Sequence, residues 1–192
     1  MGTLGTLLQE RRDAIAQRWV ECALEAYSEE ASKLFDAQKD PFANPVGATL
    51  RKGTTGILET LLDGGSQEAL HQHLAEIIKV RAVQQFPASQ AVGFVIRLKD
   101  VARSEMGEAA GDAELAPEWA ELDRQIDEIA LAAFDVFVEC REQVFELRMS
   151  EVKRQVSWVI GKLNDQATDP EHSDRPGLRS TTGVNERRKS LR

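Results

Sequence analysis

The sequence is short of the residues on which most site chemistry depends. Its 192 residues hold two cysteines and three histidines. Cys22 and Cys140 lie far apart, each inside a helical pattern, and read as free buried thiols of a reducing cytoplasm rather than a disulfide framework. His71 and His73 look like a metal pair on paper. Two positions apart on a helix, however, their side chains diverge by about 200° and cannot hold one ion, and His172 falls in a polar tail. Nucleophile motifs, phosphate-binding glycine loops and CxxC pairs are absent, so neither a metal, nor a cofactor, nor an enzyme is expected. No apolar run approaches the roughly 18–20 residues of a membrane span, and the N-terminus lacks the apolar core of a signal sequence, which points to the cytoplasm. Net charge is −8, against a nucleic-acid-binding body. No segment alternates with period two, which excludes a sheet and leaves an all-α architecture.

What is present is an ordinary globular composition, 42% hydrophobic and 29% charged, long enough for one domain plus extensions. Residues 4–27 predict one amphipathic helix with Leu8, Ile15, Trp19, Cys22 and Ala26 along a stripe; Trp19 is either core or the wall of a pocket. A short helix is expected over residues 29–37. Asn44 then suits a helix cap and Pro45 the first helical position. The helix they open carries Val46, Leu50, Ile57, Leu58, Leu61 and Leu62. Gly53 and Gly56 within it either weaken it or let another backbone come close. Residues 63–66, DGGS, end that helix and cap the next. Residues 107–117 read as a polar loop.

The most distinctive stretch is residues 76–99, EIIKVRAVQQFPASQAVGFVIRLK. Leu70, Leu74, Ile77, Ile78 and Ala82 form one helical face, and Arg81 points into the middle of it. Phe86-Pro87 breaks the run, and a second limb presents Ala91, Phe94, Val95, Leu98 and Ala102. Arg81, Gln84, Gln85 and Ser89 therefore gather at a corner between two apolar faces. Arg81 either snorkels to water or is a buried guanidinium that requires a carboxylate partner or an anionic ligand. Asp135 is the candidate carboxylate.

From Trp119 to Leu163 there is no proline, and the only glycine is Gly161. A continuous helix there is roughly 65 Å long. One stripe comprises Leu122, Ile126, Ile129, Ala133, Phe137, Cys140, Val144 and Leu147. A second comprises Ala130, Phe134, Val138, Phe145, Met149, Val152, Val156, Val159 and Leu163, and from Phe145 onward it alternates four and three, the coiled-coil spacing. The expectation is that the first stripe packs inside the subunit and the second, from Phe145 to Leu163, forms the interface of a parallel homodimer. Residues 1–150 thus read as a globular domain, 151–163 as a coiled-coil-like extension and 164–192 as a disordered tail with a basic end at Arg187, Arg188, Lys189 and Arg192.

Four pieces in order, IAQRW (15–19), FANPVG (42–47), IIKVRAVQQFPASQAVGFVIRLK (77–99) and ALAAFDVFVECRE (130–142), resemble the RsbRD N-terminal sensor domain family over about residues 4–150. The chain is more distantly similar to the N-terminal domains of RsbR-type stressosome proteins. The resemblance implies a globin-like, dimeric, haem-free module that receives a signal and passes it along its terminal helix. Asn44, Arg81, Gln84, Pro87, Ser89, Asp135 and Arg141 fall in the matching motifs. The stressosome pattern places a STAS output domain after that helix; here a tail follows, so output is expected through a partner protein. The functional expectation is a sensor of a small ligand or partner at Arg81, Gln84, Gln85, Ser89, Asn44, Trp19 and Asp135. The alternative is a ligand-free dimeric adaptor. A haem globin is disfavoured by the placement of the histidines.

Overall fold

The computed structural model describes residues 3–28, 35, 40 and 42–168. The elements in chain order are α1 (Thr3–Glu10), α2 (Arg12–Leu24), α3 (Pro45–Asp63), α4 (Gln67–Val83), α5 (Ala88–Met106), two 3-10 turns (Gly107–Gly111 and Ala113–Leu115) and α6 (Ala116–Thr168). The fold is all-α, with no strand among the described residues. The chain divides into two compact units, Met1–Arg148 and Met149–Arg192.

The first unit holds the core. Its helices begin where the sequence supplies caps. Asn44 Oδ1 accepts from Gly47 N (2.8 Å) with Pro45 in the first turn of α3, and Ser66 Oγ accepts from Ala69 N (3.1 Å) at the start of α4. Each such cap satisfies a backbone amide that has no partner within the helix. Gly64 closes α3 in the left-handed conformation, φ 71°. Against one another, α3 packs mainly on α4, and α2 lies on both α3 and α5.

The α3–α4 contact is close because of two glycines. A Cβ on Gly53 would fall 2.6 Å from Ile77 Cγ1, and one on Gly56 would fall 2.4 Å from the His73 ring. These glycines are therefore contact points for the neighbouring helix, the second of the two roles open to them in the sequence. His73 is half-buried there rather than a surface residue; His71 is exposed.

The first long helix of the sequence reading is two helices. The chain breaks at Arg11 (φ −104°, ψ 7°), whose amide falls between the carbonyls of Leu7 and Leu8 at 3.3 and 3.2 Å. The break lets Leu4 and Leu8 face the core on α1, while Ile15, Trp19, Val20, Ala23 and Leu24 do so on α2. The buried stripe of α2 thus centres on Ala23, with Cys22 and Ala26 half-buried at its edge. The helix expected over residues 29–37 lies outside the described residues except for Phe35, as does the tail beyond residue 168.

Residues 107–117 are more ordered than a polar loop: the two 3-10 turns fill most of the stretch and bury Leu115. Pro117 falls in the first turn of α6, where its missing N–H costs no hydrogen bond. Helix α6 therefore starts ahead of Trp119, and it runs past Leu163 to Thr168, five residues into the segment expected to be tail. On α6 the first stripe is buried from Leu122 through Ile126, Ile129 and Ala133 to Phe137. It fades at Cys140 and Val144, which are half-buried, and Leu147 is exposed. Ion pairs from α5, Lys99–Asp127 at 2.7 Å and Arg103–Asp123 at 2.6 Å, flank the buried part. The second unit is described as helix up to Thr168, and its apolar residues Met149, Val152, Val156, Val159 and Leu163 are all exposed.

Candidate functional site

Arg81 is fully buried, at 0% exposure, which decides against a snorkelling side chain. Its helical position aims it between α2 and α5, where backbone carbonyls are free to accept. Nη2 donates to Ala23 O (2.7 Å), in the last turn of α2. Nη1 donates to Gln90 O (2.9 Å) and Ala91 O (3.2 Å), in the first turn of α5. One guanidinium on α4 thereby fastens two other helices through their main chains. The helix end at Ala23 has no intrahelical amide to serve it, so a cation there is favourable for both hydrogen bonding and the helix dipole.

Two aromatic rings complete the enclosure. The guanidinium carbon lies 4.6 Å from the Phe94 ring centroid and 5.8 Å from that of Phe86, within cation–π range. Phe94 stacks on the buried Trp19 (5.7 Å), and its carbonyl accepts from Trp19 Nε1 at 2.6 Å. Tyr27 packs on Phe86 (5.0 Å) and donates through its hydroxyl to Gln84 Oε1 (3.1 Å). Burial pushes the guanidinium pKa down from its ordinary value, and the nearby Tyr27 opposes that shift. Burial also pushes the Tyr27 phenol up, partly countered by the charge of Arg81. Among the described residues no carboxylate is hydrogen-bonded to Arg81, and its Nε is buried without a partner.

The corner turns through a helix-ending motif. Phe86 N donates to Arg81 O and Gln85 N to Ala82 O, both at 3.1 Å, with Gln85 in the left-handed region at φ 64°. This is the double hydrogen bond that usually carries glycine at the left-handed position. A side chain there costs roughly 1 kcal/mol, so Gln85→Gly is expected to raise stability by about 0.5–1 kcal/mol in urea titration. A loss instead would mean that the Gln85 side chain contributes a contact that outweighs the strain.

The sequence candidates separate into groups. Arg81, Gln84 and Trp19 belong to the cluster just described, with Tyr27, Phe86 and Phe94, which sequence reasoning did not join to it. Gln85 and Ser89 are exposed at the corner. Asn44 is buried as the cap of α3, and its Nδ2 donates to Phe35 O at 2.7 Å. Asp135 is exposed on α6 and is not the partner of Arg81; the partners are main-chain oxygens, which a search for carboxylates could not find. Tyr27 did carry a signal, as the only tyrosine in the chain. Phe145, Met149, Val152, Val156, Val159 and Leu163 are all exposed, from 39% at Met149 to 64% at Phe145.

The cavity that touches Arg81 is a groove of about 260 Å³ between α2 and α5, open to solvent, with Ser89 and Phe94 also in its wall. It is not a chamber around Gln84 and Gln85. Among the described residues no group of three or more His, Cys, Asp or Glu side chains could hold a metal ion, and no helix is long and apolar enough to cross a membrane.

No curated protein and no solved structure matches the chain. Residues 13–152 match the family model of the RsbT co-antagonist protein rsbRD N-terminal domain. That span takes in α2 to α5, the Arg81 cluster and the buried part of α6, and the chain belongs to this family.

Proposed function

We propose that the chain is a non-enzymatic sensor module of stress signalling, globin-like and haem-free, which relays a signal through α6 in a homodimer. One observation carries the reading. A single helix has its stripe from Leu122 to Phe137 buried in the core, while its positions from Phe145 to Leu163 stay exposed with four–three spacing. An apolar seam of that period is satisfied by a second helix of the same kind. A shift in the packing of the first stripe then alters the geometry of the second, provided the signal favours one arrangement over the other. Output passes to a partner protein that reads the paired helices.

The test is oligomeric state. Wild-type protein is expected to be dimeric by light scattering, and Val152→Asp with Val156→Asp monomeric. Each carboxylate buried without a partner costs several kcal/mol, so dissociation should strengthen on the order of 10³-fold or more. A double variant that stays dimeric removes the relay.

A ligand-free dimeric adaptor is the second reading. It is favoured by the three carbonyls that already hold the terminal nitrogens of Arg81, so the cluster stands without a ligand.

A further inference from the structure

Gly93 sits in the interior of α5, where glycine is roughly 1 kcal/mol less favourable than alanine. Unlike Gly53 and Gly56, it is not a contact point: a Cβ there would meet nothing within 4 Å. The space it leaves is the groove between α2 and α5, and a side chain at this position would enter it. Helix packing does not need this glycine.

Of the charged side chains that line the groove, two are cations, Arg81 and Arg97, and one is a carboxylate, Glu25, in a chain of net charge −8. Arg81 forms part of its wall, shielded from solvent, with Nε lacking a partner. Arg97 reaches its rim and pairs with Glu25 across it at 3.1 Å, so that pair cancels and the charge of Arg81 remains. Ser89 contributes a hydroxyl from the first turn of α5, a turn that no side chain caps. Gln90 N and Ala91 N both donate to Pro87 O, so the helix start contributes its partial positive charge rather than those amides, and a guanidinium in low dielectric acts strongly at short range.

We propose that this groove binds a small oxyanion, a carboxylate or phosphate group on a compact molecule, with its charge toward Arg81 and the α5 N-terminus and its body against Gly93. This rests on the sensor reading and supplies its ligand class. Arg97 is the exchangeable element: the ligand competes with Glu25 for it, which couples occupancy to the ion pair that bridges the groove.

The experiment uses the full chain and follows melting temperature with inorganic phosphate, and separately with succinate, against chloride at matched ionic strength. The wild type should show a saturable rise of about 3–6 °C with at least one probe at ten times its dissociation constant. Gly93→Leu starts its side chain in open space, extends it into the groove and replaces a helix-interior glycine, so it should fold at least as well and lose the saturable part. Glu25→Gln frees Arg97 and should tighten binding several-fold, whereas Arg97→Gln should weaken it. A rise equal in wild type and Gly93→Leu is a general salt effect and overturns the proposal, as does no rise with either probe. Saturable binding that leaves the dimer unaffected upholds the site and counts against the relay alone.

Discussion

Arg81→Ala is expected to lower the stability of the body by about 3–5 kcal/mol, read from urea unfolding followed by circular dichroism. Two effects add. The substitution empties the volume of a fully buried side chain, and it strips donors from the buried Ala23 O and Ala91 O and from the part-buried Gln90 O. An orphaned buried carbonyl costs roughly 1–3 kcal/mol. Removing a buried charge offsets part of this, which makes the series of replacements informative. Arg81→Met keeps the stem volume and gives up every donor, so it should fall between wild type and alanine. Arg81→Lys keeps the charge but replaces a planar fork by a single ammonium that cannot reach both α2 and α5, and it should not rescue. A loss below about 1 kcal/mol for Arg81→Ala would show that the carbonyl contacts do not hold the helices together.

Gly53→Val should be nearly as damaging, at about 3 kcal/mol. Even the first atom of a side chain would fall 2.6 Å from Ile77 Cγ1 and 3.3 Å from His73 O. Ile77 is fully buried and has nowhere to go, so α3 and α4 must separate. The same chemistry at Gly93 should act in the opposite direction: Gly93→Ala adds a methyl in open space and is expected to gain about 0.5–1 kcal/mol from helix propensity. A double variant with Ile77→Ala should relieve part of the Gly53→Val loss, a non-additivity confined to residues in contact. Equal costs at Gly53 and Gly93 would mean that helix–helix distance does not set the effect.

These cases mark what could be read from the sequence and what could not. Period and capping are local properties, and they were legible. The apolar faces of α4 and α5, the Asn44 and Ser66 caps, and the inward aim of Arg81 all follow from residue spacing. Gly53 stays open between two roles in the sequence, because a glycine's own code does not say whether a neighbour lies above it. The partners of Arg81 were out of reach for a different reason. Every residue type carries a carbonyl, so nothing in the letters at 23, 90 or 91 marks it as an acceptor, whereas the carboxylate of Asp135 is visible in the sequence. The break at Arg11 was likewise silent, since arginine favours helix and only the competing demands of Leu4, Leu8 and Ile15 for the core bend the chain there. The groove was missed because its sign is a space, visible only once α2 and α5 are side by side.

The last-made helix closes the body that the first-made helices begin. Leu4 N donates to Glu118 Oε2 at 3.0 Å, linking positions 114 apart, and Leu122 to Phe137 finish the core. Synthesis runs from the N-terminus, so α2 to α5, which end at Met106, leave the ribosome with an apolar face still uncovered until the chain has emerged as far as Phe137. During that interval the nascent chain depends on chaperones or on speed. The turns of α6 from Leu122 to Phe137 are thus the last to supply the core that the earlier helices leave open.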